Sequence, residues 1–261
     1  MEPLVEVDDV SVVRDGKNLL SHVTWIANPG EHWVILGPNG AGKTTLVSLL
    51  AGRLFPTSGG VAVMGSDLGN VEAQDIHSRV GFCSSALGKQ IDGRLSVESV
   101  VLSAAYGTIV QAHYQVYEDI DQSRAQWLMR NFGVAHLAGR EIGTLSDGER
   151  QRVLICRSLM SDPEVLILDE PAAGVDLGTR EVLLGSLAEL ASNPRSPMLI
   201  MVTHHVEEIP PGFTHGLILK DGEITAAGRL EEVLTSHNLS ATFNMYLRCG
   251  RLDDERWWAH G

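Results

Sequence analysis

The chain has 261 residues, 44% hydrophobic and 20% charged, a balance that fits one large α/β domain or two small ones around a sizeable core. Its formal net charge of −13 argues against a dedicated nucleic-acid binder, because recognition of a phosphate backbone needs a basic face. No apolar run reaches the roughly eighteen residues of a membrane span, the acidic start Met1-Glu2-Pro3-Leu4-Val5-Glu6 lacks signal-peptide character, and Cys83, Cys156 and Cys249 are scattered as reduced cytosolic thiols would be.

The N-terminal part reads as β-rich. Leu4 to Val13 and His22 to Ile26 are joined across Asp15-Gly16-Lys17, and Asp-Gly between apolar runs signals a hairpin. Trp33 to Leu36 reads as a short buried strand, and Thr45 to Ala51 as a helix that stops at Gly52. Between them lies Gly37-Pro38-Asn39-Gly40-Ala41-Gly42-Lys43-Thr44-Thr45, with the spacing G-x-x-x-x-G-K-[ST]. Glycines there let successive N–H groups turn inward around the phosphates of a nucleotide. Lys43 reaches the β- and γ-phosphates, and the Thr44 hydroxyl binds Mg²⁺. Strand, glycine loop and helix N-terminus together make an anion site. Val61 to Gly65 and Val80 to Cys83 read as further strands.

From Ala86 to Thr144 the pattern is helical. Leu95 to Ala105 and Asp121 to Phe132 read as helices, with starts at Ser96 and Asp121, whereas Tyr106 to Tyr117 has no clear period. The α/β pattern then resumes. Glu149 to Met160 and Asp176 to Ala191 read as helices, and Val165 to Leu168 and Met198 to Val202 as central parallel strands. Leu217 to Leu219 and Ile224 to Ala226 close a hairpin across Asp221-Gly222. His237 to Gly261 carries no motif. Its Trp257-Trp258 pair suits a docking point, but suits better a segment folded back onto the body.

Two further signals carry chemistry. Asp169-Glu170 ends an apolar strand, where one carboxylate can hold Mg²⁺ and the other can orient or deprotonate an attacking water. Alone, such a pair is equally well a solvated strand end, and the upstream loop gives it meaning. Leu145-Ser146-Asp147-Gly148-Glu149 contains S-x-x-E, a capping box whose free N–H groups suit a phosphate.

In this order the motifs resemble the ATP-binding cassette (ABC) ATPases, over roughly Leu4 to Leu234. The resemblance implies an α/β fold: a P-loop NTPase (RecA-like) core with a mostly parallel sheet, an N-terminal antiparallel β subdomain and an α-helical insert. Within one domain, 1–85 and 145–235 would form the core, 86–144 the insert and 236–261 an extension. The family signature Leu-Ser-Gly-Gly-Gln corresponds to Leu145 to Glu149, the D-loop to Ala173-Gly174-Val175-Asp176, and the switch histidine to His204. Two cassettes would stack head to tail, so that Ser146, Gly148 and Asp176 of one complete the ATP site of the other. Asp169 would hold Mg²⁺, Glu170 would act as general base, and His204 would sense the γ-phosphate. Neighbouring strand residues point to opposite faces, so His205 is expected to be a structural histidine and not a joint metal ligand with His204.

Three positions depart from the family pattern. Arg14 stands where an aromatic residue stacks on adenine, and its planar guanidinium can stack too. Ser85 replaces a glutamine that touches Mg²⁺ and senses the membrane partner. Asp147 replaces the first signature glycine, and its carboxylate is expected to point away from the nucleotide. Ser85, with Thr203-His204-His205-Val206-Glu207-Glu208-Ile209-Pro210, resembles single-domain ATPases of the molybdate and iron-complex branch. The resemblance implies the ATPase subunit of a transporter, with uptake favoured. It implies a homodimer or a paralogous ATPase partner, a separate integral-membrane permease, and a cytoplasmic site on the inner face of the membrane. The competing readings are a soluble ABC ATPase acting in assembly or regulation, and a module that no longer hydrolyses. Lys43, Asp169, Glu170 and His204 argue against the latter.

Overall fold

Asp15 and Gly16 both adopt left-handed backbone, with φ of 51° and 74°, and so form the tight turn of an N-terminal hairpin. The hairpin joins β1 (Val5–Arg14) to β2 (Lys17–Ala27). The computed structural model describes residues 2–70, 73–106 and 117–261. After the hairpin come β3 (Trp33–Leu36), α1 (Lys43–Leu50), β4 (Ser58–Val63), β5 (Ser66–Asp67), α2 (Ala73–Arg79) and β6 (Val80–Ser84). The helices α3 (Ser85–Gly88), α4 (Val97–Leu102), α5 (Asp119–Asn131) and α6 (Asp147–Ser158) follow. Then β7 (Val165–Asp169), α7 (Leu177–Ser192), β8 (Met198–Val202), β9 (His215–Lys220) and β10 (Glu223–Arg229) complete the α/β part. The chain ends with α8 (Leu230–Val233), α9 (Ser236–Phe243), β11 (Arg248–Arg251) and β12 (Trp257–His260).

Six strands form the central sheet in the order β10-β9-β3-β8-β7-β6, parallel except for the β9/β10 hairpin. An antiparallel sheet, β2-β1-β4-β5, lies beside it. Every residue of β3, β7 and β8 is buried, as expected for parallel strands covered on both faces. Side-chain alternation sorts these strands between two cores. Val34, Leu36, Leu166, Leu168, Leu199 and Met201 face the cluster that holds α4, α5 and α6. Ile35, Val165, Ile167, Ile200 and Val202 face the cluster built with β1, β2 and α1. This is the P-loop α/β fold expected from the motifs.

Helix starts are set by caps. Ser96 Oγ accepts the Ser99 amide at 3.2 Å and starts α4 as predicted. The start of α5 is corrected: Glu118 is its N-cap, and Asp121 is the third helical residue, whose carboxylate accepts the Glu118 amide at 3.1 Å. The acidic residue reads as a cap from sequence because both ends of a capping box are polar. Among the described residues between 86 and 144, the sole β pairing is a bridge from Ser96 to Glu141. Most of the unreadable Tyr106 to Tyr117 segment, 107–116, lies outside the described residues. The C-terminal tryptophans fold back: Trp257 is buried in the core cluster, and Trp258 stacks on His260 at 4.7 Å. No helix among the described residues is long and apolar enough to cross a membrane.

Candidate nucleotide site

The loop after β3 is shaped by close approach. A Cβ on Gly37 would overlap the Leu219 carbonyl oxygen, and one on Gly42 would lie 2.5 Å from that of Leu19. Gly37 and Gly42 also adopt φ of 154° and 102°, so glycine is required at both for two reasons. Lys43 is buried, and its Nζ donates to the carbonyls of Gly37 at 2.7 Å and Pro38 at 3.0 Å. Burial lowers its pKa, against the opposing pull of Glu170 and Asp169.

At the end of β7, Asp169 is buried and accepts the Thr44 hydroxyl at 3.3 Å. Its carboxyl is held above the usual carboxylate range, mainly by burial and further by the neighbouring Glu170 charge. The backbone then turns left-handed at Glu170, with φ of 52°, while its amide still pairs with the Val202 carbonyl at 3.0 Å. A left-handed non-glycine residue at a strand end is a strained arrangement of the kind that clusters at functional sites. It sets the Glu170 carboxylate 3.3 Å from His204 Nδ1. A cavity of about 450 Å³ is lined by Asn39, Gly40, Gly42, Lys43, Thr44 and Thr45 from the loop, together with Asp169, Glu170 and Ser85, whereas His204 lines an adjoining pocket that it shares with Glu170 and His205. The volume suits a nucleotide-sized ligand.

Leu19 and Ala86 also line this cavity, although sequence reasoning passed over them. Leu19 enters because β2 crosses behind Gly42, a placement set by the bulged hairpin register and not by any motif. Arg14 does not line the cavity. Its guanidinium donates to the carbonyls of Val13 and Phe55, each at 3.1 Å. Ser85 is exposed and also borders a second cavity of about 290 Å³, together with Asp147 and Arg150 of the signature segment.

Strand alternation does not apply to the two histidines. β8 ends at Val202, and the rings of His204 and His205 lie 4.1 Å apart instead of on opposite faces. His205 is exposed, with its ring against that of His204. Among the described residues, no cluster of His, Cys, Asp and Glu could hold a metal ion by themselves. Cys83, Cys156 and Cys249 are free thiols, and burial pushes Cys83 up to about 12.

Within one chain, Ser146, Gly148 and Asp176 do not join the loop cavity. Ser146 caps α6, and the Glu149 carboxylate accepts its amide at 2.9 Å and its hydroxyl at 2.8 Å. These bonds hold the Glu149 pKa down. The Asp147 carboxylate turns along the helix to Arg150 at 3.3 Å. Asp176 caps α7 and takes the Thr179 hydroxyl at 2.6 Å. That bond presses the Thr179 methyl onto Gly148, where an added Cβ would overlap Cγ2.

Gly148→Ala is therefore expected to cost about 1–3 kcal/mol of stability and to displace the start of α6. Adding Thr179→Ser removes the obstructing methyl but keeps the hydroxyl, and is expected to restore part of the loss. Thermal unfolding of the single and double variants checks this.

A family profile described as ABC transporter matches residues 20–173. The chain belongs to the ABC transporter family. This ABC protein is 40% identical to the ABC transporter ATP-binding protein YlmA of Bacillus subtilis (strain 168), over 92% of its own length and 91% of that protein. It is 30% identical to the manganese transport system ATP-binding protein MntB of the same organism, over 92% of each chain. It superposes with a TM-score of 0.77 and 25% identity on a metal-chelate type ABC transporter in an inward-facing conformation, covering 99% of this chain and 96% of that one. It also shares the fold of a dimeric cassette in a post-hydrolysis state with ADP and Pi, with a TM-score of 0.74 and 22% identity over 87% and 98% of the two chains. As a member of this family, it is an ATP-binding protein and an ATPase.

Proposed function

We propose that this ABC ATPase powers uptake through a separate integral-membrane permease, docked on the inner face of the membrane as a homodimer or with a paralogous ATPase. One observation carries the pairing. The loop and both carboxylates converge on one cavity, with His204 3.3 Å from Glu170 in the adjoining pocket, whereas Ser146, Gly148 and Asp176 lie outside that cavity, Ser146 and Asp176 being exposed where a second copy could meet them. Transport is supported by similarity to proteins named for manganese transport systems and by the match to a metal-chelate type transporter.

In this reading Lys43 exchanges its loop carbonyls for the β- and γ-phosphate oxygens of ATP. The Thr44 hydroxyl and Asp169 carboxylate, 3.3 Å apart, are hard oxygen donors and fit Mg²⁺, with Ser85 as a third oxygen on the same cavity. Mg²⁺ held by these oxygens would supply positive charge that offsets the charge of the phosphates. Glu170 takes a proton from the attacking water as the water oxygen bonds to the γ-phosphorus and the bond to the β–γ bridging oxygen breaks. His204, oriented by Glu170, donates to the γ-phosphate and reports its loss. Asp176 and the capped start of α6, from the second copy, close the site.

Tagged protein is expected to sediment with washed membranes and to retain one polytopic membrane protein through mild detergent extraction. Protein that stays wholly in the soluble fraction, with no polytopic protein bound, would overturn the transport reading in favour of an ATPase without a membrane partner.

A further inference from the structure

The segment after β12's partner strand has a role that the nucleotide motifs leave unassigned. Arg256 sits in the loop between β11 and β12, and its side chain is only 20% exposed. Its guanidinium bridges two elements. It binds the Glu181 carboxylate on α7 at 2.8 and 3.4 Å, and donates to the Glu207 carbonyl at 2.7 Å. From the other side, the Ala259 amide of β12 donates to the Glu207 carboxylate at 3.2 Å. Glu207 is the centre of the one-turn helix Val206–Glu208, which directly follows His204 and His205. The inner side of that turn is already fixed. Thr203 donates its hydroxyl to buried Glu208 and accepts the His205 amide at 3.1 Å. Val206 and Ile209 pack in the same apolar cluster as Trp257.

The other end of the bridge also reaches the site. α7 begins at its cap Asp176, and its Thr179 abuts Gly148 at the start of α6. Arg256 thus links the element that follows His204 to the helix that carries Asp176. Its planar fork takes two partners at once, which a lysine cannot reproduce fully.

We infer that Arg256 is a positioning residue for ATP hydrolysis, holding the His204 turn in register with α7 through the C-terminal hairpin. The inference rests on the reading of His204 given above. It uses the ion pair to Glu181 and the hydrogen bond to the Glu207 carbonyl as a clamp, with 75 residues of sequence between Glu181 and Arg256. A small misplacement of a group at the reacting centre is enough to slow the chemistry, because catalytic positioning is sensitive at the ångström level.

The test measures steady-state turnover, ATP affinity and binding stoichiometry for wild type, Arg256→Ala, Arg256→Lys, His204→Ala and the Arg256→Ala/His204→Ala double variant. The expected result for Arg256→Ala is a kcat lower by about ten-fold, with KM and stoichiometry unchanged. Arg256→Lys recovers part of that loss, and the double variant is no slower than His204→Ala, since residues that act through one another are not additive. If Arg256→Ala proves unstable, Glu181→Ala removes the acceptor of the same bridge at a more exposed position and is held to the same expectation. Unchanged kcat in the bridge variants, a loss confined to stoichiometry, or additive losses in the double variant would each overturn the inference while leaving His204 in place. Wild-type turnover by His204→Ala would instead overturn the reading of His204, and this inference with it.

Discussion

Glu170→Gln is expected to bind ATP as wild type does while turnover falls by about 10²- to 10⁴-fold. The amide keeps the size of the side chain and can still meet His204, now 3.3 Å from the carboxylate, but it cannot take the proton of the attacking water. The left-handed backbone at Glu170 is equally available to both side chains, so the fold is unaffected. With hydrolysis stopped and both half-sites filled, the two copies of the proposed dimer are expected to stay together. Size-exclusion chromatography with ATP is expected to show a dimer for the variant and a mostly monomeric wild type under turnover. A variant that hydrolyses ATP at the wild-type rate would remove Glu170 from the base role.

Lys43→Ala is expected to weaken ATP binding by about a hundred-fold or more, the scale of losing one partner from a desolvated charge pair. The effect on the nucleotide-free protein is expected to be small. The Lys43 ammonium is buried at a cost that its lowered pKa records, so its removal relieves desolvation while it frees the Gly37 and Pro38 carbonyls. Loss of the ammonium as a donor to those carbonyls and relief of its desolvation act in opposite directions. The two effects separate in one experiment. ATP at a hundred times its wild-type Kd raises wild-type stability by about 2.7 kcal/mol, and raises that of the variant by far less. Equal ATP-induced shifts in Tm for the two proteins would contradict a phosphate role for Lys43.

Much of this site is legible in sequence because its chemistry sits in short contiguous runs. The loop Gly37 to Thr45 places glycine where the backbone of β2 and β9 comes too close for a side chain. The apolar runs of β7 and β8 announce buried parallel strands, and β7 ends on the cavity at Asp169. Capping residues placed the starts of α4 and α6 to within a residue or two, since a cap is a local hydrogen bond. Arg14 shows the limit. Its place in the hairpin matches an adenine-stacking position, but its guanidinium bonds to Phe55, 41 residues away, a partner no local pattern reveals. His205 shows another, because the rule of alternating faces holds only while the strand continues.

The sequence by itself determined the fold family, the nucleotide loop, the paired carboxylates and the histidine that follows β8. Each depends on residue type at fixed spacing, and fixed spacing is what a strand, a turn or a capped helix imposes. Only the tertiary structure decided that Leu19 lines the cavity, that Thr179 abuts Gly148, and that Arg256 spans Glu181 and Glu207. Those contacts join residues far apart in the chain. They depend on strand register, on bulges and on how the C-terminal hairpin folds back, quantities that side-chain spacing does not carry.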